Sequence, residues 1–204
     1  MKKLAFSVFA AALTFGANAA EHVKADVNAF DGIYFGLGVA AVDNGVKYEN
    51  TNANANKYSD HSTRLAATVA LGYGKAIGGK AFLGLEAGLD ASQNFEYATG
   101  RAKVNGLTPS AALRLGYASS SAKRVVYLKA GAAYSKAKSN IDSEIKCDKW
   151  APIVALGAEK ICGKLRTRLE AEYRFRSSKS VDPIKLTNRG AVTLRAMAVY
   201  TVKM

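Results

Sequence analysis

Leu165-Arg166-Thr167-Arg168-Leu169-Glu170-Ala171-Glu172-Tyr173-Arg174-Phe175-Arg176 alternates from end to end. Leu165, Leu169, Ala171, Tyr173 and Phe175 share the odd positions with Thr167. Arg166, Arg168, Glu170, Glu172, Arg174 and Arg176 hold the even ones. Successive side chains of a strand leave opposite faces, so this segment has one apolar and one ionic face.

The same period of two runs from Asp31 to the end, and helical period is nearly absent. Ile33, Phe35, Leu37 and Val39 alternate with Tyr34, Gly36, Gly38 and Ala40; Leu113 and Leu115 alternate with Arg114 and Gly116. The pattern predicts eight strands, near 31–43, 62–75, 80–91, 106–117, 124–136, 151–161, 165–176 and 190–203. Connections after the second, fourth and sixth are short: Ala76 to Gly79, Ala118 to Lys123, Cys162 to Lys164. Those after the first, third, fifth and seventh run from thirteen to eighteen residues. Short turns at one end and long loops at the other describe an outer-membrane barrel.

The N-terminus agrees. Met1-Lys2-Lys3 is a basic start, Leu4 to Phe15 an apolar run, and Ala17-Asn18-Ala19 a small-x-small triplet. This is the layout of a secretory signal peptide over 1–19, leaving 20–204 as a single barrel domain. Twelve apolar residues rise only about 18 Å as a helix, short of a bilayer core of about 30 Å. Without Lys2 and Lys3, 27 basic residues stand against 16 acidic ones, a net charge of +11. In an exported chain that excess points to lipopolysaccharide phosphate as the polyanionic partner, and away from nucleic acid. The mean hydropathy of −0.04 looks soluble, but averaging hides the alternation.

A soluble sandwich also has one apolar face. Loop sorting argues against it, and so does the polar face, which sets small residues (Gly36, Gly38, Ala66, Gly84, Gly88, Gly131, Gly157) against long charged ones. A closed eight-stranded barrel needs that mixture, because its interior is only wide enough for side chains to fill. Aromatic placement is the third argument. Phe35, Tyr73, Tyr117 and Tyr200 fall towards the periplasmic rim, and Tyr134, Trp150, Tyr173 and Phe175 towards the outer one.

Gly32-Ile33-Tyr34-Phe35-Gly36-Leu37-Gly38, Leu156-Gly157-Ala158-Glu159 and Leu169 to Phe175, together with the alternating last strand, resemble the opacity-type and OmpA-like eight-stranded barrels of Gram-negative outer membranes. The resemblance covers the mature chain. It implies an all-β, antiparallel, up-and-down transmembrane barrel, a place in the cell outer membrane, and a surface antigen that in some members is an adhesin. It also implies delivery to the barrel assembly machinery through the C-terminal strand. That strand ends in Met204 where the family usually has Phe. No peptidoglycan-binding domain follows it, so no cell-wall anchoring is expected.

Arg64, Glu86, Arg114, Lys129, Glu159, Arg168, Glu170, Glu172, Arg174 and Arg195 fall on the inward face, with Asp90 near the mouth. Near-balance of the two signs favours a salt-bridge plug over an ion pathway. Arg176, Lys179, Lys185 and Arg189 make the last outer loop a candidate site for lipopolysaccharide or an acidic host glycan. Asn50 to Asn56 reads as a low-complexity surface loop. Asp60-His61-Ser62 is a poor nucleophile pair, because adjacent strand residues face opposite ways. Gly157 to Lys164 misses phosphate-loop spacing. The two histidines and two cysteines lack metal-ligand spacing, so no metal or cofactor is expected. Cys147 is placed in the third outer loop and Cys162 in a periplasmic turn, too far apart to bridge. The functional reading is a monomeric, non-enzymatic structural and surface barrel. A narrow channel comes second and a lipid A-modifying enzyme third.

Overall fold

Eight long strands each run antiparallel to both neighbours, and the last pairs with the first. The computed structural model describes residues 30–50, 57–77, 80–96, 102–118, 124–139, 146–162, 165–181 and 184–202. In chain order the strands are β1 (Gly32–Asn50), β2 (Lys57–Ile77), β3 (Ala81–Ser92), β4 (Phe95–Glu96), β5 (Ala102–Val104), β6 (Leu107–Ala118), β7 (Arg124–Ser139), β8 (Lys146–Cys162), β9 (Leu165–Arg174), β10 (Ser177–Val181) and β11 (Ile184–Val202). The closed wall runs β1-β2-β3-β6-β7-β8-β9-β11 and back to β1. Short β4, β5 and β10 extend it at one end.

The faces are inverted relative to a soluble protein. Val39, Leu65 and Leu128 are 63%, 79% and 63% exposed, whereas Arg114 and Arg168 are each 1% exposed. Water on that outer surface would oppose folding by the full hydrophobic cost. Hydrocarbon does not, and closure gives the wall's backbone groups partners that lipid cannot supply. The ten residues of β9 reach about 33 Å, and a tilt of about 40° brings that to the ~25 Å of a barrel's apolar band. Phe35, Tyr73, Tyr117 and Tyr200 face outward near the end that carries the termini. Trp150, Tyr173 and Phe175 do so near the other. There Tyr134 packs on Trp150 at 5.5 Å and Tyr173 on Phe175 at 5.1 Å between centroids.

Several strands run well past the alternation at the outer end, whereas β9 stops at Arg174, two residues short of it. β1 runs on to Asn50, β2 begins at Lys57, β8 at Lys146 and β11 at Ile184. Much of what reads as outer loop is therefore paired strand standing clear of the bilayer. Once both faces are in water, apolar alternation has no cause, and hydropathy cannot separate such a strand from a loop. β11 takes up one extra residue against β1 between Asn44 and Val46, and Gly190 lies there at φ 98°. That is a bulge with a glycine in a conformation other residues resist. The segment with Arg176, Lys179, Lys185 and Arg189 is thus largely a β10–β11 hairpin. Lys179 stands opposite Leu186, and Lys185 opposite both Ser180 and Glu49. Arg176 is exposed; the side chains of the other three lie outside the described residues. So do the leader at 1–19 and the low-complexity stretch at 51–56.

Cys147 also belongs to strand rather than loop, opposite Ala137 on β7, while Cys162 ends the same strand opposite Leu165. Fifteen residues of strand separate them by about 50 Å, against the ~7 Å a disulfide allows. A membrane-impermeant thiol reagent on intact cells is expected to label Cys147 and spare Cys162 until the membrane is permeabilised. A Cys147–Cys162 crosslink within one chain, seen by mass spectrometry, would refute the course of β8.

Candidate functional site

Among the described residues the charged and aromatic side chains gather in the lumen, which fills in layers from the end that carries the termini. Gly32, at φ 113°, turns the entering chain so that Phe30 tucks under the wall. Phe30, Phe82, Ala118, Val125 and Tyr127 form an apolar floor, with Phe30 and Phe82 stacked at 5.8 Å. Arg166 lies over the Phe30 ring at 4.9 Å and pairs with Glu159 at 3.0 Å.

Three inward rings each face a glycine directly across the ladder: Tyr34 opposite Gly72, Phe82 opposite Gly116, Tyr127 opposite Gly157. A Cβ on Gly116 would come within 1.8 Å of the Phe82 ring, and one on Gly157 within 2.2 Å of the Tyr127 ring. These glycines are the room into which the rings lie.

Above the floor the charges interlock. Glu159 accepts from Arg114 and, at 2.7 Å, from Arg168 Nε. Glu86 accepts from Tyr34 Oη at 2.8 Å and Arg168 Nη1 at 2.5 Å, with Arg114 and Lys129 each at 3.4 Å. Arg114 also donates to Tyr34 Oη at 2.9 Å and lies 3.9 Å from the Tyr127 ring centre. One layer up, Glu170 accepts from Tyr127 Oη and Lys129 Nζ, both at 2.6 Å, and from Arg195 Nη1 at 2.8 Å. Glu172 pairs with Lys129 at 3.1 Å and Arg195 at 2.9 Å. Arg195 closes the layer on Asp90, at 3.1 and 2.5 Å. Five buried cations, Arg114, Lys129, Arg166, Arg168 and Arg195, thus meet five buried carboxylates.

Of the inward charges read from the sequence, Glu86, Arg114, Lys129, Glu159, Arg168, Glu170, Glu172 and Arg195 meet in this network. Arg174 is buried near the outer mouth, opposite Ile153 and Ala191. Arg64 lies half-buried at that mouth, opposite Val42. Asp90 is a full member. The set of lumen residues expected from the sequence left out Arg166, Tyr34, Tyr127, Phe82 and Phe30. The first four sit in phase with the ionic face and were legible; Phe30 precedes the first strand and has no phase. The cavity bounded by Glu86, Asp90, Lys129, Glu170 and Arg195 holds about 10 Å³, room for about one water. A second, nearer the mouth beside Asn44 and Arg174, is no larger.

Residues 7–200 match the family described as outer membrane protein beta-barrel domain. The chain belongs to that family. Its place is accordingly the cell outer membrane, with the short turns in the periplasm and the strand extensions outside. No curated protein matches the sequence. Among solved structures, the outer membrane protein OprG from Pseudomonas aeruginosa superposes with a TM-score of 0.52 at 13% identity, over 85% of this chain and 97% of that one. Ail, the attachment invasion locus protein of Yersinia pestis, gives 0.44 at 13%, over 83% and 99%. Neisserial surface protein A gives 0.45 at 12%, over 84% and 100%. At such identity the likeness concerns the fold.

Two substitutions test the packing of this outer-membrane barrel. Glu86→Ala strands buried cations and is expected to cost about 3–5 kcal/mol, read as a lower temperature at which the fast-migrating folded band in detergent gels gives way to the slow one. Gly116→Val is expected to destabilise strongly. Combining it with Phe82→Ala should cost less than the two single losses added together; strict additivity would show that ring and glycine do not share the space.

Proposed function

We propose that this protein is a non-conducting, non-enzymatic outer-membrane barrel that acts through the strands and hairpins it raises above the bilayer. The observation that carries the reading is the filled lumen. An ion pathway needs a continuous wet path, and here an aromatic floor lies below two layers of mutually paired charges, beside which two cavities each hold about one water. The motif weighed for catalysis stands apart from the lumen: His61 is exposed on the outer part of β2, opposite Gly45 and next in chain to Ser62.

What remains for function is the outer edge. On one side β2, β1, β11 and β10 continue as a four-stranded wall; on the other β8, β7, β5 and β4 do the same. Such walls present backbone edges and side chains to whatever meets the cell. The basic residues of the β10–β11 region, Arg176, Lys179, Lys185 and Arg189, are the candidate contact for lipopolysaccharide phosphate or an acidic host glycan. The reading is a surface antigen with an adhesive role, made by a monomer that the assembly machinery receives through its last strand.

Two measurements decide it. Purified protein in a planar bilayer is expected to give no resolved conductance steps; regular steps would replace this reading by a channel. Cells carrying the intact protein should bind host cells better than cells whose protein carries R176Q/K179Q/K185Q/R189Q. Equal binding, with both proteins folded at the surface, would remove the adhesive role.

A further inference from the structure

The lipid-facing side of β2, β3, β6 and β7 is not flat. It holds an apolar groove of about 660 Å³, within the roughly 300–1,000 Å³ of a small-molecule site. One bank is a row of residues directly opposed across five strands: Ile33, Tyr73, Leu85, Leu113 and Ala130. The other bank is Leu71, Ala87 and Ala111, also directly opposed, and the groove widens where leucine gives way to alanine. Between the banks the backbone of Gly72 and Glu86 forms part of the floor. The lumen fixes this floor from behind. The Tyr34 ring lies against Gly72, and Tyr34 and Arg168 hold the Glu86 carboxylate.

Ile33 is the second residue of β1 and Ala130 the seventh of β7, so the groove climbs obliquely from the periplasmic edge towards mid-membrane. Four strand spacings of about 4.8 Å give it a length of about 19 Å, and one leaflet of the hydrocarbon core is about 15 Å deep. At the lower end Tyr73 faces outward at headgroup height. Lys75 is exposed on the same face opposite Leu83, about 7 Å nearer the periplasm. Two constraints choose the occupant. The groove opens onto hydrocarbon, and left empty it would forfeit the dispersion contacts of its lining. An apolar chain that enters from the periplasmic edge also carries its polar end past Tyr73 to a cation.

We propose that this groove holds one acyl chain of a periplasmic-leaflet phospholipid, whose phosphate is bound by Lys75 and the Tyr73 hydroxyl. An ammonium and a phenol both donate hydrogen bonds, and a phosphodiester accepts them. The site has two parts with separate tasks. The groove selects a flexible apolar chain, and Lys75 selects the anion that ends it. The chain lies against a wall that the ionic lumen already holds rigid, so binding needs no rearrangement of the barrel.

The test uses the full chain folded in detergent, phosphatidylglycerol as the probe, and native mass spectrometry as the readout. The unchanged protein is expected to keep one phosphatidylglycerol after the detergent is stripped. A87L/A111L, which fills the groove from the lipid side, should lose it. K75Q should weaken its retention about fivefold. A171L places the same added bulk on the outward face of β9, opposite Leu156, and should keep the lipid. Glycerophosphoglycerol, the headgroup without chains, should not displace it. Heat-dependent gel migration shows whether each variant is folded, and A111L alone, expected to weaken retention, serves if the double variant does not fold. No retained lipid in the unchanged protein, full retention in A87L/A111L or in K75Q, or equal loss in A171L would overturn the proposal. Displacement by glycerophosphoglycerol would overturn it in favour of a headgroup site. A protein dimer that A87L/A111L abolishes would overturn it in favour of a second copy.

Discussion

A peptide N–H inside hydrocarbon has no water to turn to, and each one left unmet costs several kcal/mol. That constraint rules out an open sheet and requires β11 to find β1. Once the wall closes, everything else is decided by which side of it a residue falls. The outward set is apolar because lipid is. The inward set must fill a tube of eight strands whose bore is fixed by their number.

Filling that bore with charge is the less obvious choice, since a buried ion pair recovers its desolvation only when geometry and hydrogen bonding are close to complete. Here Glu86, Glu159, Glu170 and Glu172 each serve two or more cations, and two tyrosine hydroxyls donate into the carboxylates between them. A network of this kind is specific as well as cohesive. Shifting any strand by one residue would turn its charges into the lipid and its leucines into the lumen. The ionic core therefore discriminates among registers that a greasy core would accept.

How much of this was legible depended on whether a residue's neighbours on both sides were of one kind. Leu165 to Phe175 lies between lipid and lumen, so its alternation declares both faces, and the charges of the site could be read from it. Tyr34, Tyr127 and their opposing glycines were in phase with the same face, but which ring meets which glycine is a matter of pairing across strands, and one strand's sequence does not carry it. Phe30 was illegible because a turn, not a strand, delivers it. The outer strand extensions were illegible because water on both faces erases the pattern. The comparisons with other barrels speak to the wall and not to the role.

The three ring-on-glycine pairs have a consequence for the parts of the chain that meet the outside. Tyr34 with Gly72 joins β1 to β2, Phe82 with Gly116 joins β3 to β6, and Tyr127 with Gly157 joins β7 to β8. The fourth such neighbouring couple, β9 and β11, has Arg195 directly opposite Glu170, in contact at 2.8 Å. Every pair of strands joined on the outer side thus carries its own alignment mark within the bore. The connecting segment is relieved of the task that a tight turn performs in an ordinary hairpin. Its length and composition are free to drift, residue by residue, without disturbing the wall beneath it. A surface under pressure to change its appearance can do so on such a frame while the frame stays still.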